Sequence, residues 1–286
     1  AVSANGYIYS IAGYDDGNVR STSIQYAKAN SDGTLGAWAT SSNNLPNDLG
    51  GTDHGSAVAN GYIYVIGGVN STVSSVYYTK ILTGGETAPW STNANSIPIS
   101  GRGNPQVAAS NGFIYVLGGN ATGGATTSVI YAKLSSDGST GPWASTTALI
   151  AASARGAVAT ANGYLYSLPT DGSALVNYTK INGDGSLGNW VTNINNQPGG
   201  TSNAASIVVA NGYLYLLGGN PSKNVYYAKL NSNGSTGVWD TASSLPAARS
   251  SATNNAVVIN GYIYYVGQSH ANTVFYTSTA RTQISG

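Results

Sequence analysis

Short apolar runs, punctuated by turn residues, recur along this chain. Ser56-Ala-Val-Ala59 and Tyr62-Ile-Tyr-Val-Ile66 are joined by Asn60-Gly61 and closed by Gly67-Gly68. Two apolar runs linked by Asn-Gly predict a β-hairpin, because both turn residues tolerate the positive φ of a type I′ turn. After a polar loop comes Ser75-Val-Tyr-Tyr-Thr-Lys-Ile81, whose counterparts share a Val-x-Tyr-x-Lys alternation at Val129/Tyr131/Lys133, Val176/Tyr178/Lys180 and Val225/Tyr227/Lys229. A period of two places these three residues on one face of a strand. The other face is often apolar as well, as in a sheet covered on both sides. A turn with Asp-Gly or Asn-Gly then leads to a Trp that opens a fourth strand, as at Asp32-Gly33…Trp38 and Asp184-Gly185…Trp190. No segment keeps a helical period.

The hairpin phrase occurs six times, beginning at Asn5, Asn60, Asn111, Asn162, Asn211 and Asn260, at intervals of 55, 51, 51, 49 and 49 residues. A unit of this length cannot bury its own apolar face and must stack on its neighbours. The strands of each unit are called a to d in chain order.

Four strands in about fifty residues are the pattern of a β-propeller blade. The motif Arg…Ala-Val…Asn-Gly-Tyr-Ile-Tyr-Val-Ile-Gly-Gly…Val-Tyr-Tyr…Trp resembles the kelch repeat over essentially the whole chain. The Gly-Gly pair is kept at Gly67-Gly68, Gly118-Gly119 and Gly218-Gly219. The expected architecture is an all-β, six-bladed kelch-like propeller, one domain over 1–286, with blades at about 1–48, 49–99, 100–150, 151–199, 200–247 and 248–286.

The sixth unit does not match the others. Only five Trp are present, and the offset from Lys28 to Trp38, applied from Ser278, falls beyond Gly286. A recognisable outer strand is therefore missing from the last blade. The chain reads as a mature or excised segment whose upstream residues supply that strand. A second reading is a three-stranded last blade, and a third is a homo-oligomer in which the edge strand at 273–279 takes a strand from another chain.

Composition narrows the function classes. Charged residues make up 7% of the chain, against roughly a quarter in ordinary domains. Solubility therefore rests on Ser, Thr, Asn and Gly. The net charge of +1 with no basic run excludes the electrostatic footprint of a nucleic-acid binder, and no apolar stretch is long enough to span a membrane as a helix. Absence of Cys rules out disulfides, zinc–thiolate sites, thiol nucleophiles and the Cys-crosslinked Tyr of galactose-oxidase-like kelch enzymes; neither a cofactor nor a metal is expected. This composition resembles that of bacterial or archaeal surface proteins, which implies an extracellular or cell-surface location.

Position in the repeat sorts the chemistry. Asp32, Glu86, Asp137 and Asp184 fall in c-to-d turns, where capping is expected. Lys28, Lys80, Lys133, Lys180 and Lys229 share one repeat position and read as part of the blade design. The remaining polar candidates gather on the opposite face. The d-to-a segments contribute Asp48 and, nearer strand a, Asp53, His54, Arg102, Arg155 and Arg249, the last five of which should surround the channel mouth; the b-to-c loops contribute Tyr14, Asp15, Asp16, Arg20, Asp171, Lys223 and His270. Arg is a forked donor to carboxylates, so the group predicts a polar cup for an anionic or hydroxyl-rich ligand. Kelch resemblance also implies a framework role for an Arg in this segment, bonded to backbone carbonyls.

No Gly-x-Ser-x-Gly elbow, phosphate loop or His-Glu-x-x-His pattern is present. The expectation is a non-catalytic binding, adhesion or structural module with a protein or glycan ligand. The enzymatic alternative is a sugar-modifying protein similar to the six-bladed kelch propellers that epimerise N-acetylneuraminate.

Overall fold

The computed structural model describes residues 1–14, 19–46, 52–68, 74–98, 102–170, 175–195, 197, 205–219, 222–246, 248, 255–267 and 280–283. The first blade comprises β1 (Val2–Ala4), β2 (Tyr7–Tyr14), β3 (Arg20–Lys28) and β4 (Ala39–Thr40); the second comprises β5 (His54–Ala59), β6 (Tyr62–Gly67), β7 (Val76–Lys80) and β8 (Ser91–Thr92). In the third, β9 (Gln106–Ser110) and β10 (Phe113–Leu117) are followed by a small hairpin, β11 (Asn120–Ala121) and β12 (Gly124–Ala125), before β13 (Val129–Lys133) and β14 (Ala144–Thr146). The fourth contains β15 (Ala157–Ala161), β16 (Tyr164–Leu168), β17 (Asn177–Lys180) and β18 (Val191–Thr192), and the fifth β19 (Ala205–Ala210), β20 (Tyr213–Gly218), β21 (Val225–Leu230) and β22 (Thr236–Ala242). Each of these five sheets is antiparallel in a–b–c–d order.

The sixth repeat departs from this plan. It forms a three-stranded sheet of β23 (Ala256–Ile259), β24 (Tyr262–Tyr265) and β25 (Ala280–Gln283). The expectation of six blades is thus corrected to five complete four-stranded blades and one incomplete sheet. Its third strand is also displaced from the expected position. Tyr262 pairs with Gln283 as Tyr7 pairs with Lys28, so Gln283 rather than Ser278 holds the lysine register. The expected edge strand at 273–279 lies outside the described residues.

The hairpins follow from their turns. Asn60 and Gly61 have φ of 52° and 78°, and the other five Asn-Gly pairs are equally left-handed. Type I′ turns match the right-handed twist of the flanking strands, so Ala59 meets Tyr62 directly across the hairpin. The second Tyr of the phrase then faces a Tyr on strand c: Tyr64 opposite Tyr78 with stacked rings 6.2 Å apart, Tyr115 opposite Tyr131 at 6.0 Å. Tyr9, Tyr64, Tyr115, Tyr166 and Tyr264 are all fully buried. Each such ring contributes about 2–3 kcal/mol of apolar burial.

Strands a are innermost. β1, β5, β9, β15, β19 and β23 neighbour one another in that order, and β23 returns to β1. Ser3 Oγ donates to the Val258 carbonyl at 3.0 Å across the closure. Separate buried clusters fill the gap between every pair of neighbouring sheets, including Ile8, Val257 and Tyr264 between the first blade and the sixth sheet.

Neighbours are also latched on the outside. In five hairpins the first aromatic lies over the turn glycine of the next blade: Tyr7 over Gly85, Tyr62 over Gly138, Phe113 over Gly185, Tyr164 over Gly234 and, across the closure, Tyr262 over Gly33. A Cβ on Gly185 would lie 2.4 Å from the Phe113 ring, so only glycine fits. The Trp indoles complete the latch. Trp90, Trp143, Trp190 and Trp239 donate Nε1–H to the carbonyls of Asn43, Asn95, Thr147 and Asn195 in the preceding blade. Asn43, Asn95 and Asn195 return the contact by donating Nδ2–H to carbonyls of the next blade.

Candidate functional site: the channel mouth

At the channel mouth the d-to-a segments enter the inner strands. Counting back from each Asn-Gly pair, Asp53, Asn104 and Arg155 occupy one repeat position, seven residues before the Asn. All three are left-handed, with φ of 61°, 54° and 63°. A non-glycine residue held there carries strain that the surrounding structure must impose. The restraint is a relay of backbone bonds from blade to blade: Arg155 N–H donates to the Asn104 carbonyl at 3.1 Å, and Asn104 N–H donates to the Asp53 carbonyl at 2.5 Å. One backbone shape thus presents three different side chains. Asn104 is buried, Asp53 half-buried and Arg155 exposed.

Arg102 stands elsewhere. It lies nine residues before its Asn, equivalent to Ser153 in the next blade, and Arg249 lies eleven before its own, outside the described residues. The three arginines do not share a repeat position. Arg102 is fully buried. Its Nη1 donates to the carbonyls of Gly118 and Ser128 at 3.0 and 3.2 Å, and Nη2 to Ser128 Oγ at 2.7 Å. Burial lowers its pKa to about 10, which leaves the guanidinium charged at neutral pH. Both Nη groups serve the third blade, while Nε–H has no partner among the described residues, so the geometry gives Arg102 the framework role.

The Gly-Gly pairs explain how these segments dock. Gly68 N–H donates to the Arg102 carbonyl at 3.0 Å, and Gly119 N–H to the Ser153 carbonyl at 2.7 Å. A Cβ at Gly67 would lie 2.2 Å from the Arg102 oxygen, and one at Gly118 would lie 2.1 Å from the Ser153 oxygen. The pair is therefore a cradle for the next blade's strap. Behind it, buried Gln106 accepts from Ser167 Oγ at 3.0 Å and donates to Ser153 Oγ at 3.1 Å, tying the third blade to the fourth.

His54 opens β5, where it pairs with Gly67. Its Nδ1 is shielded from solvent without a hydrogen-bond partner among the described residues, and burial pushes the imidazole pKa down to about 4. It is neutral at pH 7. On the first blade's rim, Tyr14 pairs directly with Arg20 across β2 and β3, and both are exposed. Lys223 is exposed in the fifth blade's b-to-c loop. Asp15, Asp16, Asp48, Asp171 and His270 fall outside the described residues. Among the described residues no three His, Asp or Glu side chains form a metal-binding group, and no helix is long and apolar enough to cross a membrane.

The opposite face is spent on turns. Asp137 Oδ1 accepts from the backbone and hydroxyl of Ser139 at 2.9 and 2.7 Å, and Asp184 does the same with Ser186. These bonds hold both carboxyls below their ordinary pKa. Glu86 accepts from Ser41 and from the Thr87 backbone, bridging the first and second blades.

The residues missed by sequence reading are Asn104, Gln106, Ser153 and the Asn partners of the Trp indoles. A signal for the last group was present: Asn43, Asn95 and Asn195 each follow a Trp by five residues.

The fold defines a class, the β-propellers. A solved structure titled "Structure of YjhT" superposes with a TM-score of 0.72 over 97% of this chain and 92% of its own, at 14% identity. That similarity is one of fold. No family model and no curated protein matches the chain.

Proposed function

We propose that this chain is a kelch-like, non-catalytic binding or adhesion module of an exported or cell-surface protein, with a glycan or protein ligand on the d-to-a/b-to-c face. The observation that carries the reading is the strained relay at the mouth, where one enforced backbone shape recurs at Asp53, Asn104 and Arg155 and leaves Arg155 exposed and Asp53 half-buried, with Asn104 buried beneath. A rigid frame with varied side chains suits recognition, because little ordering entropy is lost on binding. Tyr14 and Arg20 extend the face with an aromatic surface beside a forked donor. The c-to-d face, by contrast, uses its carboxylates internally. The sugar-modifying alternative requires charged donors free to meet a substrate, and Arg102 commits its Nη groups to its own blade.

A glycan-array screen tests this reading, with the wild type beside Arg155→Ala, Tyr14→Ala and Asp184→Ala. The expected result is a defined set of retained glycans whose binding falls at least about tenfold in the first two variants and is unchanged in the third. Equal loss in Asp184→Ala, or conversion of a bound sugar to a new product, overturns it.

A further inference from the structure

Three Asn-x-Ser/Thr tripeptides lie among the described residues, at Asn120-Ala-Thr122, Asn177-Tyr-Thr179 and Asn233-Gly-Ser235. The tripeptide is the acceptor pattern for N-linked glycans, which are bulky and need a surface position. The fold separates the three. Asn177 is buried within β17, between β16 and β18. Asn120 is exposed, but its backbone N–H and carbonyl are both bonded to Gly103, which holds it in β11.

Asn233 differs from both. It stands exposed in the c-to-d turn of the fifth blade. Its Oδ1 accepts from the Ser235 backbone N–H at 3.1 Å and from Ser235 Oγ–H at 2.7 Å, so the hydroxyl and the carboxamide of the tripeptide are already joined. Two donors on Oδ1 polarise the amide and make Nδ2–H more acidic. The turn is pinned beneath: Gly234 N–H donates to the Asn231 carbonyl at 3.1 Å, and a Cβ on Gly234 would lie 2.5 Å from the Tyr164 ring. Asp32, Asp137 and Asp184 hold the same position in the first, third and fourth blades and accept the same pair of bonds. A carboxylate cannot form an N-glycosidic bond. Among these four turns the fifth blade's alone presents a carboxamide.

We propose that Asn233 is an acceptor site for an N-linked glycan donated by a polyprenyl diphosphate-linked saccharide. Asn233 Nδ2 attacks the anomeric carbon, and the bond from that carbon to the diphosphate oxygen breaks. The lipid diphosphate leaves with the bonding pair, and Nδ2 gives one proton to a base; nothing is oxidised or reduced. The turn lies on the c-to-d face, so a glycan there leaves the d-to-a/b-to-c face open. The inference rests on the exported location in the reading above, and not on its ligand.

The test incubates the folded protein with an oligosaccharyltransferase and a polyprenyl diphosphate-linked oligosaccharide, followed by glycopeptide mapping. A short synthetic peptide carrying Asn-Gly-Ser, in the same tube, shows that the enzyme is active. The expected result is a single glycan, on Asn233. Asn233→Asp and Ser235→Ala should each abolish it, and Asn120→Gln should leave it unchanged. Asn233→Asp installs the residue of the other three turns, so its melting temperature should match the wild type and loss of transfer is not unfolding. No glycan on Asn233 while the control peptide is modified overturns the proposal, as does transfer to Asn120 or Asn177 in preference to Asn233. Transfer to the purified protein is independent of where the chain resides and of what it binds. Failure of this site and failure of the location or ligand reading are therefore told apart.

Discussion

The Arg102 carbonyl accepts the Gly68 backbone N–H at 3.0 Å, while the same residue's guanidinium reaches forward to Gly118 and Ser128. One residue thus holds the second blade with its backbone and the third with its side chain. Because the group is buried and charged, removing it strands several carbonyls without water. Arg102→Ala is expected to lower stability by about 3 kcal/mol. Arg102→Lys should recover only part of this, since an ammonium lacks the planar fork. Urea unfolding measures both, and ligand binding by the folded fraction should be unchanged.

The cradle makes a sharper prediction. Gly118 and Gly112 both have positive φ, of 58° and 78°, but a Cβ at Gly112 meets nothing within 4 Å. Gly112→Ala therefore carries the left-handed penalty alone, about 1 kcal/mol. Gly118→Ala adds a clash with the Ser153 carbonyl and should cost about 3 kcal/mol or more. Equal midpoints in paired denaturation curves would contradict this role of the Gly-Gly motif.

Much of the fold was legible in the chain, because Asn-Gly turns and alternating Tyr positions are local signals with a single geometric solution. The third strand of the last sheet was not. Its register was extrapolated to Ser278 by assuming a b-to-c loop of ordinary length, and the pairing falls five residues later at Gln283. Asp53 and Arg155 were named from the sequence as candidates, but their equivalence to Asn104 in one left-handed repeat position was hidden by grouping arginines by residue type. Position relative to the Asn-Gly pair, rather than charge, sets which backbone shape a residue adopts. The framework role of Arg102 depended on where Gly118 and Ser128 carbonyls point, which the sequence does not display.

His54 gives the stability a pH dependence. Its folded pKa of about 4 lies below the ordinary histidine value near 6.5. The unfolded state therefore binds the proton more readily between these values, and stability is full above about pH 6.5 and falls as pH drops towards about 4. The loss is up to about 3 kcal/mol. Comparing His54→Gln with the wild type at pH 7.5 and 4.5 measures it; the variant should show the smaller drop.

The Trp latch separates by blade. Trp90→Phe removes the bond to the Asn43 carbonyl and should cost about 1 kcal/mol beyond the change in packing. Trp38 has no such acceptor among the described residues, so Trp38→Phe should cost less by that amount. Thermal denaturation of the two variants side by side checks the difference.

The central claim is that recognition occurs on the d-to-a/b-to-c face. Because the chain has no Cys, a single introduced cysteine can carry a bulky polyethylene glycol at one chosen point. Arg20→Cys places it on the proposed recognition face, and Ser136→Cys places it in a c-to-d turn on the other; both positions are exposed. The direct measurement is glycan-array and cell-surface binding of both labelled proteins beside the unlabelled wild type. Binding lost from the Arg20→Cys conjugate and kept by the Ser136→Cys conjugate is the predicted result. Binding blocked only by the label at position 136, or no surface ligand retained by the wild type, would contradict the account.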